Sequence, residues 1–102
     1  MSKLSFFYDA NAVYEASLRA LKRRDYKILK SDLDSGTIVA ASKGGILKPK
    51  VSIEIKINQS DDNQTNMDIR SAVKKNWLTP DGYDAKAEHK LISTLYKLFE
   101  NM

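Results

Sequence analysis

The sequence predicts an α+β fold, a two-layer sandwich in which N- and C-terminal helices pack on one face of a four-stranded antiparallel sheet. Three observations carry this. Val51-Ser52-Ile53-Glu54-Ile55-Lys56-Ile57 alternates apolar and polar residues without a fault, so a strand there puts four β-branched side chains on one side and Ser, Glu and Lys on the other. Strands of parallel sheets are generally covered on both faces and read as continuous apolar runs, so the alternation points to an antiparallel sheet with one buried face. Near each end of the chain stands a stretch of helical periodicity with a single apolar stripe. The predicted order is αββββα, with room for a short extra strand at the N-terminus.

The first stretch, residues 4–8, is apolar and aromatic and serves either as that extra strand or as a cover for the core. Asp9 is placed to cap a helix, its carboxylate accepting from amides left free in the first turn. Tyr8 and Val13 are spaced for a hydrophobic staple across that cap. The helix runs to about Arg24, with Ala10, Val13, Tyr14, Ser17, Leu18 and Leu21 on one stripe. Asp25-Tyr26 ends the pattern, and residues 26–31 read as a first strand. Ile28 and Leu29 are adjacent there, so the strand is either covered on both sides or exposes one of them.

Asp32-Leu33-Asp34-Ser35-Gly36 is turn chemistry: short polar side chains that bond nearby backbone, then a glycine able to take positive φ. A second strand follows from Thr37 to Ser42. A loop of Lys43-Gly44-Gly45-Ile46-Leu47-Lys48-Pro49-Lys50 leads into the Val51 strand. After a polar turn, residues 65–73 form the fourth strand. If Ile55 stands opposite Ile69, then Ile57 meets Met67 on the apolar face, while Glu54 meets Arg70 and Lys56 meets Asp68 on the other. One register therefore satisfies both faces, and a slip of one residue would reverse them. Pro80-Asp81-Gly82 turns the chain into a last helix over about residues 83–101, with Leu91, Ile92, Leu95, Leu98, Phe99 and Met102 as its stripe. Two such helices and one half-apolar sheet bury their apolar surface by packing together on the Val51/Ile53/Ile55/Ile57 face.

Residues 1–102 are read as one domain with a single core, without repeat or linker. Hydrophobic content of 42% with 29% charge is that of a globular chain rather than a disordered one. The absence of cysteine removes disulfides, thiolate metal ligands and thiol nucleophiles together. No stretch approaches membrane-spanning length and residues 1–8 lack the apolar run of a secretory signal, so a cytoplasmic location is expected. The net charge of +4 is uneven: residues 1–50 hold ten Lys/Arg against five Asp/Glu, and residues 51–102 hold seven against eight.

Ala16-Ser17-Leu18-Arg19-Ala20-Leu21, Asp25-Tyr26-Lys27-Ile28 and Asp34-Ser35-Gly36-Thr37-Ile38-Val39-Ala40 resemble a group of small bacterial helix–antiparallel sheet–helix domains of uncharacterised function. Domains of the outer-membrane assembly lipoproteins are similar in the same general sense. The resemblance implies the fold, over about residues 8–102. It brings no catalytic or ligand-binding residue with it.

The residues offer no reaction chemistry. His89, the single histidine, lies on a polar helix face between Glu88 and Lys90 and reads as solvated surface. Asp32/Asp34 and Asp61/Asp62 belong to turns and lack calcium-loop spacing. No cofactor, metal or enzymatic activity is expected. Function then falls to surfaces. The first candidate is the open sheet face, with Val39, Ala41, Ser52, Glu54, Lys56, Asp68 and Arg70, used for protein contact or self-association, with an edge strand as the other route. The alternative is binding to an anionic surface, nucleic acid or phospholipid. It would use Arg19, Lys22, Arg23 and Arg24 at the end of the first helix with Lys43, Gly44, Gly45, Lys48 and Lys50 of the loop. That loop lacks the P-loop pattern, and no aromatic platform for stacking bases falls on the open face.

Overall fold

The computed structural model describes residues 2–42, 50–60, 64–73 and 83–100. Its elements are β1 (Ser2–Phe6), α1 (Ala10–Arg23), β2 (Tyr26–Asp32), β3 (Thr37–Ser42), β4 (Val51–Gln59), β5 (Thr65–Val73) and α2 (Tyr83–Glu100). The strands form one antiparallel sheet in the order β1-β5-β4-β3-β2. The sheet has five strands rather than four because Leu4 and Phe6 alternate with Lys3 and Ser5. The N-terminal segment can therefore lie beside β5 with Leu4 opposite Met67 and Phe6 opposite Thr65.

The β4–β5 pairing is the one that the charges and isoleucines require: Glu54 opposite Arg70, Ile55 opposite Ile69, Lys56 opposite Asp68 and Ile57 opposite Met67. Ile38, Ile53, Ile55, Met67 and Ile69 are buried from this sheet. Each such side chain contributes about 1.5–3 kcal/mol of transfer free energy when removed from water. They are covered by α1, which lies on β2 and β4, and by α2, which lies on β5 and against α1.

The buried side of α1 is wider than the predicted stripe, for Ala16 and Ala20 are buried with Val13, Tyr14, Ser17 and Leu21. These small residues let the helix come close to its neighbours. Ser17 is buried without loss because its hydroxyl donates to the Val13 carbonyl at 2.7 Å. Asp9 caps the helix, accepting from the Ala12 amide at 2.7 Å. Tyr8, spaced to staple onto Val13, stacks its ring on Phe99 of α2, with centroids 4.6 Å apart. Phe6 packs on the same ring at 4.8 Å.

Two turns need left-handed backbone. Asp25 has φ 63° and directs the chain from α1 into β2. Gly36 has φ 69°, at the end of a turn in which the Asp32 carboxylate accepts from the Asp34 and Ser35 amides. A Cβ at Gly36 would stand 2.2 Å from the Ile57 carbonyl oxygen. The two backbones touch because the Ile57 amide donates to the Gly36 carbonyl at 2.8 Å.

The Ile28–Leu29 conflict is resolved by a bulge. Ile28 pairs with Ala40 and Lys30 with Val39, leaving Leu29 as the extra residue; it is 57% exposed. Met102, the Pro80–Gly82 turn and the centre of the β4–β5 turn lie outside the described residues.

Candidate functional site

With both helices on one side, the opposite side of the sheet is bare of secondary structure among the described residues. Residues directly opposite in neighbouring strands share a face, so the registers assemble this surface row by row. One row runs Lys3, Asp68, Lys56, Thr37, Asp32 from β1 to β2. The next runs Arg70, Glu54, Val39, Lys30 from β5 to β2, and a third Ala72, Ser52, Ala41, Lys27. Charge alternates along the first row, and alternates again from the first row to the second within β5, β4 and β2.

The sequence-derived surface is thus a real juxtaposition: Val39, Ala41, Ser52, Glu54, Lys56, Asp68 and Arg70 all lie in these three rows. Ser52, Lys56 and Arg70 are exposed, and Val39, Glu54 and Asp68 half-buried. Ala41 is only 4% exposed, so it adds shape rather than contact area. An ion pair forms along β4, with Lys56 Nζ 3.8 Å from Glu54 Oε1 and the two side chains 53% and 42% exposed. Solvent screening leaves such an exposed pair worth about 0–1 kcal/mol. The charges are available to a partner.

Lys27, Lys30 and Asp32 also belong to this face, beyond the residues expected there from sequence. The signal was the Ile28–Leu29 conflict: only with a bulge do Lys27 and Lys30 fall on the same side, each opposite a residue of the open face of β3. The bulge also bears on the edges. A bulge and edge lysines are devices that discourage strand addition, and β2 has both. The exposed face, rather than the β2 edge, is the accessible surface.

The anion-binding candidates are divided. Arg19, Lys22, Arg23 and Arg24 are exposed at the C-terminal end of α1, and Lys50 is exposed where β4 begins. Lys43, Gly44, Gly45 and Lys48 lie outside the described residues.

Three features were missed. Glu88 is buried at 4% exposure; its carboxylate accepts from the Ser2 hydroxyl at 2.9 Å and from the Ser71 hydroxyl. Its spacing from Leu91 and Leu95 places it on the buried side of α2, and that helical period was the available clue. Tyr8 and Tyr96 are exposed rings packed on Phe99 and Phe6 respectively, and Phe7 between Phe6 and Tyr8 is 84% exposed. A shallow groove of about 220 Å³ runs between α1 and the β2–β3 turn, lined by Asn11, Tyr14, Leu33, Asp34 and Gln59 among others. Among the described residues no group of three His, Cys, Asp or Glu side chains is arranged to hold a metal ion, and no helix is long and apolar enough to cross a membrane.

No protein-family model matches the chain, and no curated protein matches it. Among solved structures, the chain is similar to one in the crystal structure of the adenylate sensor from AMP-activated protein kinase in complex with 5-aminoimidazole-4-carboxamide 1-beta-D-ribofuranotide (ZMP). The match has a TM-score of 0.71 and 17% identity, over 91% of this chain and 94% of that one. At that identity the likeness is one of fold.

Proposed function

We propose that this chain is a non-enzymatic domain that works through protein contacts made by the uncovered face of its sheet. The observation that carries the reading is the row structure of that face. Charges of both signs stand in register on neighbouring strands, and among the described residues no helix lies over them. Arrays of this kind give specificity and register between proteins more than raw affinity. The mixture of signs weighs against a phosphate backbone as the ligand, since Glu54 and Asp68 would repel it.

Lysine protection tests this. Lys27, Lys30 and Lys56 belong to the open face, whereas Lys86, Lys90 and Lys97 are exposed on α2. Acylation of the protein in its native extract should spare the first set relative to the isolated domain at low concentration and leave the second set unchanged. Equal labelling of both sets in both states would overturn the reading. Salt-sensitive binding to a polyanion, lost on substitution of Lys22, Arg23 and Arg24, would move the function to the helix end.

A further inference from the structure

We infer that the partner of the open sheet face is a second copy of this chain, docked about a two-fold axis that lies across the strands between the two charged rows. The inference rests on the interaction reading above and goes further by naming the partner and the symmetry. In β5 the two rows carry Asp68 and Arg70, in β4 Lys56 and Glu54, and in β2 Asp32 and Lys30. Each of these three strands therefore holds opposite charges two residues apart, with the uncharged pair Thr37 and Val39 on β3 between β4 and β2.

A two-fold axis in the plane of the face and perpendicular to the strands lays each strand over its own copy, running the other way, and exchanges the rows. Asp68 then meets Arg70 of the second copy, Lys56 meets Glu54, and Asp32 meets Lys30, each contact occurring twice. An isologous interface has to be complementary to itself in this manner. A two-fold axis along β4 instead would set Lys56 on Lys56 and Glu54 on Glu54, and like charges so juxtaposed are strongly unfavourable. The charge pattern thus favours the axis across the strands, which matches charges on β5, β4 and β2 at once, whereas an axis along the strands midway between β4 and β5 matches those two strands alone.

Sheet twist limits how far the match extends, since neighbouring strands rotate by roughly 20–25°. The central β4 and β5 keep it best, and Lys30 with Asp32 at the edge keep it least. Five strands about 4.8 Å apart and up to nine residues long give a face of roughly 600 Å². That is somewhat below the ~800 Å² per partner of a standard interface. A polar face of that size makes a reversible, salt-sensitive dimer.

The test uses charge reversal on β4. Glu54→Lys leaves two lysines that meet two lysines in its own dimer; Lys56→Glu does the same with glutamates. Mixed together, the two variants place lysines against glutamates throughout. Sedimentation equilibrium should show the unaltered chain dimerising at low salt. Each variant alone should dimerise at least about tenfold more weakly, and their equimolar mixture should recover a dimer that native mass spectrometry finds to contain one of each. Glu100→Lys with Lys97→Glu on α2, mixed in the same way, should change nothing, and circular dichroism checks that every variant is folded.

Dimers that persist in both single variants would place self-association elsewhere and overturn the inference. So would an unaltered chain that stays monomeric at about 1 mM, where even a millimolar affinity registers. If that monomer still shows protected Lys27, Lys30 and Lys56 in extract, the partner is a different protein and the interaction reading survives. If protection is absent as well, both fall.

Discussion

Gly36 is the residue whose identity the backbone dictates most strictly. It combines φ 69° with a carbonyl oxygen of β4 standing 2.2 Å from where a Cβ would be. Gly36→Ala should therefore cost more than the ~1–3 kcal/mol of backbone strain alone, because the Ile57–Gly36 hydrogen bond must also lengthen. Thermal or urea unfolding reads this directly; a loss below about 0.5 kcal/mol would mean that the turn relaxes freely. The turn itself was legible, since Asp-Leu-Asp-Ser-Gly can hardly be read otherwise. The contact with β4 was not, because it joins residues 21 apart through backbone atoms that every residue has. Glu88 is easily overlooked for a different reason. A carboxylate followed by His89 and Lys90 looks solvated in sequence, and only the helical period places it on the buried side, beside Ser2 and Ser71.

At the scale of elements, the β4–β5 register was readable because two independent patterns, charge pairs and isoleucines, agreed on it. β1 is ambiguous in sequence because Ser2–Phe6 is five residues long and offers just Leu4 and Phe6 as apolar alternation, too short to distinguish a strand from a cover. The bulge in β2 yields a clean prediction. With Leu29 removed, Ile28 and Lys30 become neighbours that already face opposite sides of the sheet. The shortened strand then continues the alternation unbroken. Deleting Leu29 should leave the domain folded with stability changed by less than about 1 kcal/mol. It should also make the β2 edge more prone to pair with other chains, visible as aggregation that the unaltered protein does not show. A collapse in stability would mean that the bulge is required by the packing of α1 on β2.

On the scale of the molecule, Glu88 draws three elements together, taking hydrogen bonds from β1 and β5 while belonging to α2. The rings of Phe6, Tyr8 and Phe99 join the same two ends of the chain. Glu88→Ala removes an acceptor shared by the Ser2 and Ser71 hydroxyls and should cost about 1–3 kcal/mol, with hydrogen exchange accelerating in β1 well before β4. Glu88→Gln, which keeps an acceptor, should lose less. Exchange that rises uniformly across the sheet would show that the carboxylate supports the whole fold rather than the attachment of β1.

The sheet order has a consequence for synthesis. α1 carries the chain from one edge of the sheet to the other, so β1 and β2, consecutive in sequence, lie four positions apart. β2, β3 and β4 are consecutive neighbours and can pair as each leaves the ribosome. β1, made before any of them, has no strand beside it until β5, which starts at Thr65 and ends at Val73, has followed. The earliest strand to be translated can be paired no sooner than the latest, and through that interval Leu4 and Phe6 stand exposed on a growing chain.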